Sequence, residues 1–167
     1  MKKYKKIIIT LNCALVLIGF NYSIYKNEKL LDGTEVVLFE LAPRDPRSLM
    51  QGDYMVLNYS NSDIREEDNV SSRGYMVFEL DDNRIGHKLR IQEDKEPLNQ
   101  NEYLLKYTKR NNWSINFGAE SYFFQEGHAD HYANAKFGAL KIDEDGNSLL
   151  IGLYNEKLEK INVEEQK

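Results

Sequence analysis

Nineteen uncharged and mostly apolar residues, 7–25, stand between lysine-bearing flanks near the start of the chain. A helix of that length spans roughly 28 Å at ~1.5 Å per residue, close to the ~30 Å of a bilayer's hydrocarbon core. Polar Asn12 and Asn21 interrupt the run, but Asn21 falls beside Tyr22 and Tyr25, whose rings favour the membrane interface. Residues 27–32 extend the helix as a stalk, with Gly33 as a suitable C-cap.

From residue 34 the pattern changes to short runs rich in β-branched and aromatic residues, which predicts strands. Residues 34–41 form the first and stop before Pro43. Residues 53–60 form the second. Tyr54 and Val56 on one face and Met55, Leu57 and Tyr59 on the other predict cover on both sides, as in a sandwich or small barrel. A polar loop over 61–72 follows. Residues 75–80 and 85–92 then make a hairpin around Asp81-Asp82-Asn83.

Strands are also expected at 102–109 and at 114–124, the latter with Gly118 as a bulge. Residues 126–135 are the one short inserted helix. A last hairpin joins 136–143 to 148–154 through Asp145-Gly146-Asn147. The expected fold is therefore mainly β: an N-terminal transmembrane helix followed by a compact sandwich or barrel-like domain. The expected units are 1–31 (cytoplasmic tip, anchor and stalk), 32–156 (β-rich extracytoplasmic domain) and 157–167 (charged tail).

Charge sharpens this division. The first 26 residues hold Lys2, Lys3, Lys5, Lys6 and Lys26 and no acid; the remainder holds 17 basic and 27 acidic residues, a net of −10. Four lysines ahead of the span put the N-terminus in the cytoplasm and the domain outside. An acidic domain repels phosphate backbones, so nucleic acid is not an expected partner. Gly19-Phe20-Asn21 lacks the small-residue pattern of a cleavage site, and Asn12 precedes Cys13 where a lipoprotein signal has a small residue. An uncleaved signal anchor fits better. Cys13 is the only cysteine, which excludes a disulfide framework.

Candidate chemistry is sparse. His128 and His131, with Glu126 nearby, would share a helix face that zinc could use, but no third ligand and no H-E-x-x-H accompany them. Asp143 to Asn147 lacks the spacing and closing Glu of a calcium loop. Trp113, Phe117, Tyr122, Phe123 and Phe124 read as core and strand-pair aromatics. No catalytic set, cofactor or metal is expected.

Gly52-Asp53-Tyr54-Met55-Val56-Leu57-Asn58-Tyr59 spells G-D-Y-x-x-L-x-Y in full, behind an Asp45-Pro46-Arg47 turn. On these residues the chain resembles the GDYXXLXY family of bacterial membrane-anchored proteins, whose activity is unassigned. The likeness runs from the anchor through residues 36–41, the motif and 117–127, with Glu126 and Gly127, to the final hairpin. It implies an integral membrane protein as partner. Gln51 replaces an expected Arg or Lys, and Arg44 an expected small residue, which weakens any role for a basic group at either point.

The prolines cannot donate to a ladder, Gly52 tolerates unusual φ, and Asp53 can cap the strand entrance, so the motif reads first as structure. A functional alternative places an extracytoplasmic hydrolase or ligand site at Asp45, Arg47 and Asp53. Ser48 to Asp53 is faintly similar to the nucleophile region of type I signal peptidases, with Lys109 as a buried base, but the Ser-Met-x-Pro pattern is missing.

Overall fold

The computed structural model describes residues 2–33, 35–42, 54–64, 70–125 and 127–162. The chain divides into two units, Met1–Gly33 and Thr34–Lys167. The first is a single helix, α1 (Lys2–Gly33), so span and stalk are continuous. Its segment Tyr4–Leu31, 28 residues, is long and apolar enough to cross a bilayer. Residues 4–29 are exposed on every side, as expected of a helix that meets lipid rather than a protein core. Thr10 Oγ1 and Asn21 Nδ2 donate back to the carbonyls of Lys6 (3.0 Å) and Leu17 (2.8 Å), which hides two polar groups within the helix itself.

The second unit is mainly β, with nine strands among the described residues. They are β1 (Val36–Glu40), β2 (Tyr54–Val56), β3 (Arg73–Leu80), β4 (Gly86–Gln92), β5 (Glu102–Lys109), β6 (Ile115–Asn116), β7 (Ser121–Phe123), β8 (Phe137–Ile142) and β9 (Ser148–Tyr154). All ladders are antiparallel and build three sheets, ordered β1-β8-β9, β2-β7 and β4-β3-β5-β6. Two seams tie the larger sheets together. Leu38 of β1 donates to the Arg84 carbonyl at 3.0 Å, and Lys106 of β5 donates to Gly146 in the β8–β9 turn at 2.8 Å. That turn is held by the Asp143 carboxylate, which accepts from the backbone N–H of Asp145 (3.0 Å) and of Asn147 (2.7 Å).

One core joins the sheets. Phe39 packs edge-on against Phe78 at 5.2 Å, and Met55, Leu57, Tyr59, Met76, Leu105, Ile115, Leu140 and Leu153 complete its fully buried part. Burying each large apolar side chain contributes about 1.5–3 kcal/mol, so this cluster is the main source of stability.

Both hairpins form as their periodicity predicts, and β5 and β9 match the sequence reading. Three expectations change. The second strand shortens to β2, and only its odd face is buried: Met55, Leu57 and Tyr59 point inward, while Tyr54 is 37% exposed. The expected strand over 114–124 divides into β6 and β7, which join different sheets. Gly118, at φ +81°, turns the chain between them rather than forming a bulge. The bulges occur instead at Val77/Phe78 and Ala139/Leu140. The inserted helix is a 3-10 turn, Ala129–Tyr132. Gly127, at φ +85°, cannot continue a helix, and Tyr132 is drawn down between Tyr122 (5.1 Å) and Phe124 (5.5 Å). Beyond β9, Ile161 N–H returns to the Leu153 carbonyl at 2.9 Å.

Candidate functional site

The motif residues that the structure describes are tied into the sheets. Tyr54 pairs with Phe123 across the β2–β7 ladder, their rings 5.7 Å apart and both turned outward. Leu57 is buried, and its N–H donates to the Glu120 carbonyl at 2.7 Å. Asn58 accepts from Ala42 N–H at 2.8 Å. Past β2, residues 57–59 therefore continue as an extended rail between the end of β1 and the start of β7. Gly127 is exposed in the turn ahead of Ala129–Tyr132.

Tyr59 locks that rail. Its ring is 1% exposed, 6.4 Å edge-on from Phe39 and 5.7 Å from Phe117. Its hydroxyl donates to the Ala119 carbonyl at 2.7 Å, across 60 residues of sequence. Burial, and then the Glu120 charge, push the phenol far above its ordinary pKa, so it stays a neutral donor. Gly138 of β8 lies against the ring: a Cβ there would come within 2.8 Å of it. Tyr59 is a hydrogen-bonded pin, not a reactive group.

Asp45, Pro46, Arg47, Ser48, Gly52, Asp53 and Glu126 lie outside the described residues. Lys109, the lysine of the hydrolase reading, is exposed, with Nζ 3.5 Å from the Val70 carbonyl, so burial does not activate it. The rings of His128 and His131 sit 5.8 Å apart at 83°. Among the described residues no group of three or more His, Cys, Asp or Glu is placed to hold a metal ion.

Two clefts flank the rail and share Ala42, Leu57 and Asn58. One, of about 490 Å³, has an apolar floor of Leu41, Met55 and Tyr132 and a charged rim that includes Lys136 and Glu159. The other, of about 390 Å³, is more polar and is lined by Asn58, Asp63, Arg110, Trp113, Asn116 and Glu120. The carboxylate of Glu120, which lines the second cleft, accepts from the Phe117 N–H.

The sequence reading missed the site's most exposed aromatic. Trp113, read among the core and strand-pair aromatics, is 77% exposed; Phe123, 74% exposed, does pair across strands, with Tyr54. A signal was present: Asn111-Asn112 immediately before Trp113 marks a turn, and a ring at a turn tip faces water.

No curated protein and no solved structure matches this chain. The sequence model described as "GDYXXLXY protein" matches residues 16–153, which takes in most of the helix and all nine strands but the last residue. With that match, and with the motif complete from Gly52 to Tyr59, the chain belongs to the GDYXXLXY protein family.

Proposed function

We propose that the protein is a non-enzymatic accessory subunit: a β domain tethered by α1 to the cell membrane, which works with an integral membrane protein. The N-terminus lies in the cytoplasm and the domain outside. The observation that carries this reading is the 28-residue apolar segment Tyr4–Leu31, exposed over residues 4–29 and joined to a domain with its own complete core. Such a helix needs lipid or other helices around it, since exposing that much apolar surface to water is strongly unfavourable. The lysine cluster before the span supports the orientation. Tyr59 and Leu57 act through packing, which favours a scaffold over a catalyst.

The test is crosslinking in intact membranes followed by purification in mild detergent. A multi-pass membrane protein should be recovered in fixed ratio with the full chain. Recovery of the chain alone from every membrane tested would overturn the reading. Alkaline carbonate should leave the chain in the membrane, and protease added outside spheroplasts of a bacterial host should cleave the domain. Release by carbonate, or complete protection, counts against anchor or orientation respectively.

A further inference from the structure

Trp113 is presented in an unusual way. The residue is 77% exposed while its backbone is hydrogen-bonded on both sides. The Asn111 side-chain oxygen accepts from Trp113 N–H (2.8 Å), Ser114 N–H (2.8 Å) and Ser114 Oγ (3.1 Å), which closes a tight turn. The Trp113 carbonyl accepts from Ile64 N–H at 2.9 Å, and Arg110 N–H donates to the Ser114 carbonyl at 3.0 Å. Burying an indole is the easiest source of stability available to a small domain. Here the chain instead holds one outward on an ordered loop, at the rim of the 390 Å³ cleft. That pre-organisation lowers the entropy lost when a ligand stacks on the ring.

The lining decides the chemistry of the ligand. The lining holds one cation, Arg110, and two carboxylates, Asp63 and Glu120, a balance that does not suit an anion. Asn58, Asn111 and Asn116 add amide groups, so the wall is too polar for an oily ligand. Among the described residues, the side chains of Asp63, Arg110 and Asn116 make no hydrogen bond and are open to a ligand. Three of the backbone N–H groups beside the cleft are already bonded within the domain, which leaves less for an extended peptide to pair with. Leu57 N–H goes to Glu120, Ala42 N–H to Asn58 and Ile64 N–H to Trp113. What remains is a neutral molecule with an apolar face for the indole and hydroxyls around its edge for carboxylates and amides. A sugar ring has that form: its C–H face is apolar and its equatorial hydroxyls both donate and accept. The volume lies within the ~300–1,000 Å³ typical of small-ligand sites.

We propose that this cleft binds a neutral carbohydrate, stacked on Trp113 and held through its hydroxyls by Asp63, Asn116 and Arg110. The proposal is independent of the membrane-partner reading, since it concerns a ligand of the domain alone.

Trp113 is the only tryptophan in the chain, so indole emission reports on this cleft without a label. The experiment titrates the full chain, in a detergent without a sugar headgroup, with tetrasaccharides of glucose and of N-acetylglucosamine. A saturable blue shift with at least one sugar is expected, together with a matching heat of binding. Trp113→Ala should weaken that heat by about tenfold or more, the scale of a lost stacking contact. Asp63→Asn and Asn116→Ala should each weaken it several-fold with thermal unfolding unchanged. Trp113→Phe, which keeps a stacking ring, should retain part of the affinity. Absence of any saturable shift with both sugars overturns the proposal. So does binding that Trp113→Ala leaves intact, or an equal response to an uncharged peptide of similar size.

Discussion

Tyr59 and Trp113 are aromatic residues that border the same cleft, yet the fold treats them in opposite ways. Tyr59 has its ring buried to 1% and its hydroxyl bonded to Ala119, so nothing of it is left for a ligand. Trp113 has its backbone bonded on both sides and its ring left in water. The first residue lies inside the family motif and the second outside it. In this pair the motif residue is the one committed to building the fold. The part that can contact something else lies on the turn beside it. Loops on a rigid frame carry recognition for this reason, because their side chains are not committed to the core.

The comparison breaks most visibly at Tyr59. Tyr59→Ala removes a ring packed against Phe39, Phe117 and Gly138 and should lower stability by about 3–5 kcal/mol, read as a reduced denaturant midpoint. Gly138→Ala attacks the same contact from the other side. The new methyl would meet the ring at 2.8 Å, and since neither β8 nor the ring can move freely, about 1–3 kcal/mol should be lost. Tyr59→Phe keeps the packing but leaves the Ala119 carbonyl without its donor, at a cost of about 1–2 kcal/mol. If Tyr59→Phe proved neutral, the hydroxyl would be incidental and the pin would be only a packed ring.

Much of this was legible in the sequence, and the exceptions have physical causes. β5, β9 and both hairpins are read from local alternation and turn residues, and they fold as local signals dictate. The 114–124 run misleads because aromatic and apolar residues recur along its whole length with no proline to break it. Nothing local reveals that Gly118 turns the chain so that Ile115 serves one sheet and Tyr122 another. The inserted helix misleads for a related reason: Tyr132 is captured by Tyr122 and Phe124, and that long-range packing outweighs the helical propensity of the alanines around it. Tyr54 looks like a core residue by type, but its partner Phe123 lies on the outer face of a two-stranded ladder. At the candidate site the sequence identified Leu57 and Tyr59 as motif residues, though their roles emerge only from contacts with residues 60 or more positions away. Trp113 was visible as a residue and invisible as a surface.

A smaller effect separates packing from polar restraint. Arg90 of β4 makes a two-pronged pair with Glu102 of β5 at 2.8 and 2.7 Å and also donates to the carbonyl of Pro97, in the loop between them, at 2.8 Å. The Arg90 guanidinium, with Asn99 N–H and Nδ2, lowers the Glu102 pKa from 4.5 to about 2. A carboxylate depressed on folding stabilises the protein above its unfolded pKa, and that stabilisation is lost as pH falls through the folded value. The contribution should be complete above pH 4.5 and should decline between pH 4.5 and about 2. Glu102→Gln should therefore lower the thermal midpoint modestly at pH 7 and flatten its dependence on acid. An unchanged slope in the variant would mean that other carboxylates control acid unfolding.

The smallest expected effect on stability is also the one that bears most on the comparison. Trp113→Ala removes the largest side chain in the domain, but 77% of it is already in water and its loop is held by Asn111 rather than by the ring. Stability should change by no more than about 0.5 kcal/mol, against several for Tyr59→Ala. Asn111→Ala tests the other half of that argument. It releases Trp113 N–H, Ser114 N–H and Ser114 Oγ together, so the loop should loosen while the indole itself is untouched. Hydrogen exchange at residues 113 and 114 should then quicken in Asn111→Ala and stay slow in Trp113→Ala. The opposite pattern would place the ring, not the turn, in control of the loop, and Trp113 would then belong with Tyr59 among the residues that build the fold.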